Sequence, residues 1–73
     1  MGSDNTITRL KVLLGHWVEH NREHGQEFRE WAGRIVALGE SEAGDDIVAA
    51  AEEMDRAGRH LSRALERLRS EEA

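Results

Sequence analysis

Residues 7–38 read ITRLKVLLGHWVEHNREHGQEFREWAGRIVAL, and their apolar side chains recur every seven residues. One row contains Ile7, Leu14, Asn21, Phe28 and Ile35. A second row, three residues further on, contains Leu10, Trp17, His24, Trp31 and Leu38. Rows with this spacing are the a and d positions of a coiled-coil-like helix. The pattern therefore predicts one helix over about residues 6–38, with both rows facing a partner helix.

A second helix is predicted over about residues 42–69, after a short turn at residues 39–41. Its apolar positions are Ile47, Met54, Leu61 and Leu68, flanked by Ala50, Ala57, Ala64, Ala51, Gly58 and Leu65. Gly39 is expected to end the first helix in the left-handed conformation, and Ser41 to cap the second. A connection this short makes the helices antiparallel. We therefore predict a single all-α domain over residues 1–73, a two-helix hairpin that dimerises into a four-helix bundle.

Two details of the first helix stay open at this point. Asp4, Asn5 or Thr6 is expected to cap its start, because a short polar side chain accepts hydrogen bonds from free backbone N–H groups. A break at Gly25 or Gly33 would give three helices, since glycine weakens a helix interior. We favour one unbroken helix, because the apolar repeat continues through both glycines.

Composition limits the class of function. The 73 residues include no cysteine, which excludes disulfides, thiolate metal sites and cysteine nucleophiles. The net charge of -5 argues against nucleic-acid binding, which needs a basic surface. No apolar run is long enough for a membrane span, and the first residues do not resemble a signal peptide. We therefore expect no membrane partner and a cytoplasmic location.

The chain carries a cluster of histidines that suggests a metal site. His16, His20 and His24 are spaced by four residues, which places their side chains on one side of a helix. If Ile35 faces Ile47, then Asn21 faces Leu61 and His60 lies level with the gap between His20 and His24. We therefore predict that His20, His24 and His60 hold a divalent transition metal, with Glu27, Glu53 or water as the further ligand and with a smaller role for His16. Three nitrogen ligands and one oxygen suit nickel, zinc, cobalt or copper. The predicted function is metal storage, transport or sensing.

The alternative is an interaction or dimerisation module without metal. Asn21 and His24 lie in the middle of the apolar face, and one polar layer is a common device for fixing the register of helical bundles. The apolar surface of Trp17 and Trp31 is larger than one partner helix rich in alanine can cover, which favours a homodimer. An enzyme is not expected, because the glutamates follow the histidines by three residues, the reverse of the di-iron bundle pattern.

The segment from Leu10 to Ala32 resembles a small histidine-bearing helical-hairpin domain of bacterial and archaeal proteins of unknown function. Members have a similar His-Trp-Ile-Glu-His-Asn-x-Glu-His core, and their second helix is similar to residues 49–57 here, AAAEEMDRA. The family pattern often has proline at the position of Gly15, which would delay the start of the helix. The resemblance implies a discrete domain, associates it with nickel or cobalt handling, and names no activity.

Overall fold

The computed structural model describes the backbone of residues 2–71 and the side chains of residues 5–71. Two helices, α1 (Gly2–Ala37) and α2 (Ser41–Ser70), account for nearly all of these residues and pack against each other. The predicted all-α antiparallel hairpin is therefore confirmed. Helix α1 runs without a break through Gly25 and Gly33, as favoured above. It begins before Asp4, Asn5 and Thr6, so the expected caps lie inside the helix.

Gly39 ends α1 as predicted. Its φ of 95° lies in the left-handed region, and its N–H donates to the Val36 carbonyl at 2.9 Å while the Glu40 N–H donates to the Ile35 carbonyl at 2.9 Å. This pair of bonds is the Schellman motif of helix ends. Ser41 is not the cap of α2: it is the first helical residue, and Glu40 precedes it without a side-chain capping bond. The motif ends at Glu40, which leaves no room for a separate cap.

The two helices meet along a seam of mostly small residues. The buried positions of α1 include Leu14, Gly25 and Ala32, and those of α2 are Gly44, Ala51 and Leu65. Contact is closest at the small residues. A Cβ added at Gly44 would collide with the Val36 side chain and lie 3.4 Å from the Ala32 carbonyl oxygen. We call these six residues the hairpin seam.

The second predicted row of α1 does not face α2. Trp17 is 42% exposed, Trp31 52% and Leu38 81%, and His24 is exposed beside them. The row that contacts α2 lies one residue further along, at Val18, Gly25 and Ala32, and accompanies the correctly predicted row of Leu14, Asn21 and Phe28. The physical reason is size: small residues let the helix axes approach closely, and indole rings between them would hold the axes apart.

The register of the hairpin also differs from the predicted one. The Asn21 side-chain amide donates to the Met54 carbonyl at 3.2 Å, so Asn21 lies opposite Met54 and not opposite Leu61. The error is seven residues, or about 10 Å along α2. Apolar side chains recur at that interval in α2, so the sequence pattern fits either register. The close approach of Gly25 to Ala51 and of Gly44 to Ala32 selects the observed one.

The hairpin is long and thin. Its extents are 56 × 15 × 14 Å and its radius of gyration is 16.6 Å. A compact domain of this length would have a radius of gyration of about 11 Å. Within residues 2–71, neither helix combines the length and the apolar character that crossing a membrane requires.

Candidate functional site

Three histidines form a ladder along the outside of α1. The ring centroids of His16 and His20 are 5.3 Å apart in an edge-on arrangement, and those of His20 and His24 are 5.0 Å apart and nearly parallel. Phe28 continues the ladder, 6.3 Å from His24. The regular four-residue step of a helix produces this stack. The His20–His24 pair is therefore held by one helix, without help from α2.

His60 does not join this ladder. It lies nine residues after the fully buried Ala51, or roughly two and a half turns, which places it on the far side of α2 from the seam. Its Nδ1 lies 3.0 Å from an Arg63 guanidinium nitrogen, and the pair is exposed. Among the side chains that the structure describes, no three histidines, aspartates or glutamates are grouped so that they could hold a metal ion. The predicted convergence of His20, His24 and His60 is absent because it required the other register and the other face of α2.

The two predicted carboxylate ligands are separated as well. Glu27 Oε1 lies 3.6 Å from His24 Nδ1, with both side chains about half exposed or more. Glu53 pairs instead with Arg56 on its own helix at 2.9 Å. Of the six predicted ligands, four lie along one side of α1 as successive neighbouring pairs, namely His16, His20, His24 and Glu27. Glu53 pairs within α2, and His60 lies on the far side of that helix. The remaining candidate is a one-helix site centred on the stacked pair.

A broad apolar surface lies beside the histidine ladder. A shallow groove between the helices is lined by Phe28, Trp31, Ile47 and Ala50 together with Asp46. The Arg34 guanidinium carbon lies 4.7 Å from the centre of a Trp31 ring. We use the name apolar face for the exposed row of α1 and the groove beside it, consisting of Leu10, Trp17, His24, Phe28, Trp31, Leu38, Ile47 and Ala50.

The opposite side of the seam is polar. Arg29 donates to Asp55 at 2.6 Å across the helices, and this hydrogen bond lowers the pKa of the Asp55 carboxyl group below its usual value. Arg22 bonds to Glu19 on its own helix and lowers the pKa of that carboxyl group in the same way. Glu19 is therefore paired within α1 and not with α2.

Two features of this arrangement were not predicted from the sequence. The first is the close contact at Gly25 and Gly44, for which small residues at seven-residue spacing with Ala32 and Ala51 were the available signal. The second is the Arg29–Asp55 pair, because that pairing depends on the register. Asn21 is in the polar layer as predicted, but His24 is not, since it faces away from α2.

Comparison with known proteins gives one match. No curated protein matches the chain, and no solved structure does. The sequence profile of one family, described as a domain of unknown function (DUF8180), matches residues 10–68. These residues include the histidine ladder, the apolar face and the whole hairpin seam, and they make up most of the chain. The protein therefore belongs to the DUF8180 family of domains of unknown function.

Proposed function

We propose that this hairpin is a self-association module, half of a homodimeric four-helix bundle that forms through the apolar face. The observation that carries the proposal is the exposure of both tryptophans on one side of α1. Large apolar side chains grouped on a surface are typical of interaction sites. In α1 each tryptophan directly precedes a residue that contacts α2: Trp17 precedes Val18, and Trp31 precedes Ala32. A four-helix bundle would therefore bury one side of α1 against α2 and the tryptophan side against the second copy.

The surface area supports a second copy as the partner. The chain exposes 5630 Å². A compact monomer of the same mass, 8.2 kDa, would expose about 4,500 Å², so the hairpin has an excess of about 1,100 Å². A standard interface buries about 800 Å² on each partner. One copy of the same hairpin, laid along the apolar face, would cover an area of this size.

The small buried core of the single hairpin also favours dimerisation. Only four apolar residues with side chains are buried within the described part of the chain: Leu14, Ala32, Ala51 and Leu65. Two of these are alanines, which bury little area. Small domains commonly gain the missing stability from oligomerisation. Pairing through the apolar face would add Trp17, Phe28, Trp31 and Ile47 to a shared core.

Sedimentation equilibrium tests the proposal directly. At tens of micromolar, with a chelator present, the parent chain is expected to sediment as a dimer. Trp31→Glu places a charge in the apolar face and is expected to give a monomer. Val12→Glu is the matched control, because Val12 is 70% exposed and lies outside the apolar face, so this variant should remain dimeric. A parent chain that is folded and monomeric under these conditions would show the proposal to be wrong.

A second candidate function is transition-metal binding. The observation that favours it is the stacked pair of His20 and His24, whose imidazoles are 5.0 Å apart. Two histidines four residues apart on one helix can bind one metal ion, and imidazole ligands suit nickel, zinc, cobalt or copper. One helix supplies only part of a coordination sphere, so this candidate needs ligands from elsewhere.

A further inference from the structure

The exposed row of α1 has a symmetry that the hairpin itself does not use. At seven-residue steps it reads Leu10, Trp17, His24, Trp31 and Leu38, the same in both directions about His24. The row includes both tryptophans of the chain, each seven residues from that histidine. None of these five side chains is buried. A row that reads identically in both directions is self-complementary toward an antiparallel copy of itself.

A two-fold axis at the centre of the row would place each of its residues against the corresponding residue of a second copy. Dimers of this kind use the same patch on both subunits, so that residue i contacts residue j and j contacts i. With α1 antiparallel to α1 of the second copy, Trp17 lies against Trp31 of that copy and Leu10 against Leu38. His24 then lies against His24 of the second copy.

Helix α2 is compatible with the same axis. Its apolar row is Ile47, Met54, Leu61 and Leu68. The hydrogen bond from Asn21 to the Met54 carbonyl places Met54 level with Asn21, three residues or about 4.5 Å along α1 from His24. Alanines at positions 43, 50, 57 and 64 lie along the flank of this row, and small residues there permit close approach of α2 to its copy. An axis beside His24 would therefore also pass within one helical turn of Met54.

We propose that this axis passes beside His24, and that the His24 side chains of the two copies supply two imidazole ligands to one divalent transition metal. The inference rests on the proposed dimer. With His24 against His24 of the second copy, the two His20 residues lie eight positions apart, about 12 Å along the helix, so both cannot bind the same ion. Pairing of the two copies supplies the second imidazole that one α1 row lacks. Imidazole nitrogen suits zinc or cobalt, with water or a carboxylate completing the coordination.

The surroundings of His24 fit this role. Metal-binding imidazoles usually direct their second nitrogen to a carboxylate, which fixes the ring orientation. Glu27 Oε1 lies 3.6 Å from His24 Nδ1, which leaves Nε2 of that ring for the metal. The His24 side chain is 49% exposed, so the ring is accessible from solvent. His16 lies two turns from His24 and His60 lies on the far face of α2, so neither belongs to the site.

The position of the axis is tested without metal by introducing cysteine into this cysteine-free chain. A disulfide needs Cα atoms about 4.4–6.8 Å apart, and a residue beside the two-fold axis lies close to its own copy. On mild oxidation, His24→Cys is therefore expected to form a disulfide-linked dimer. His60→Cys is the control and should remain largely unlinked. A dimer in which α1 packs on α2 of the second copy would leave His24→Cys unlinked, and that result would overturn the inference while the proposed function stands.

The metal site is tested by titrating the parent dimer with zinc in calorimetry and with cobalt in visible spectroscopy. We expect one ion per two chains and the absorption of tetrahedral cobalt. His24→Ala should weaken zinc binding about 100-fold, while His16→Ala and His60→Ala leave it unchanged. One ion per chain, or no binding by a dimer, would overturn the site and leave the proposed function intact. If the parent chain is a monomer in the presence of a chelator, the proposed dimer is wrong and the metal site fails with it.

Discussion

The two apolar sides of α1 differ in the size of the residues they carry. The side that packs on α2 has Gly25 and Ala32 at its closest contacts, whereas the exposed side has Trp17 and Trp31. Both sides repeat every seven residues, so periodicity alone does not distinguish them. The difference teaches that, in this hairpin, the small side determines how closely the two helices pack. The large side is left with an area that a second hairpin would fill.

The largest expected effect comes from enlarging a residue in the seam. Ala51 is fully buried, so Ala51→Leu should lower the free energy of unfolding by about 2–3 kcal/mol through overpacking. Ala49→Leu is the matched control on the exposed outer side of α2, and should change stability by less than about 0.5 kcal/mol. Urea unfolding monitored by circular dichroism measures both. Equal effects would mean that Ala51 is not a close contact.

A smaller effect is expected at the polar layer. Asn21→Ala removes the hydrogen bond to the Met54 carbonyl and should lower the free energy of unfolding by about 1 kcal/mol. Gln26→Ala, at an exposed position of the same helix, should have almost no effect. Thermal unfolding of the two variants and of the parent measures these changes in stability. If Asn21→Ala is as stable as the parent, the bond does not hold the register.

The smallest effect is expected at the polar side of the seam. Arg29 lowers the pKa of Asp55 from an ordinary value of 3.8, so this pair stabilises the hairpin fully above that pH. The contribution is lost as the pH falls through the lowered pKa, because protonated Asp55 no longer attracts Arg29. Both side chains are 43% exposed, so the effect is small.

Asp55→Asn is therefore expected to reduce stability slightly at neutral pH and to reduce its decrease in acid. Glu53→Gln is the control, because Glu53 pairs with Arg56 within α2 and does not join the helices. Unfolding curves collected from pH 2 to pH 7 measure both variants. A steeper acid dependence in Asp55→Asn than in the parent would contradict the assignment of the shifted group.

The candidate site was predictable only in part. The His16, His20 and His24 ladder follows from spacing on one helix, and the structure contains it. The contribution of His60 depended on which face of α2 meets α1 and on the register, and both differed from the prediction. A contact within one helix depends on local geometry that four residues define. A contact between helices depends on packing along their whole length.

The two helices, the turn at Gly39 and the inward position of Asn21 were predictable from the sequence alone. These features depend on local conformational preference and on periodicity, which a single chain segment carries. The packing of the two helices was needed to show that α1 meets α2 through Gly25 and Ala32, and that Trp17, His24 and Trp31 remain outside. The seven-residue repeat permits either side to pack, and the closer approach of backbones at small residues selects one of them.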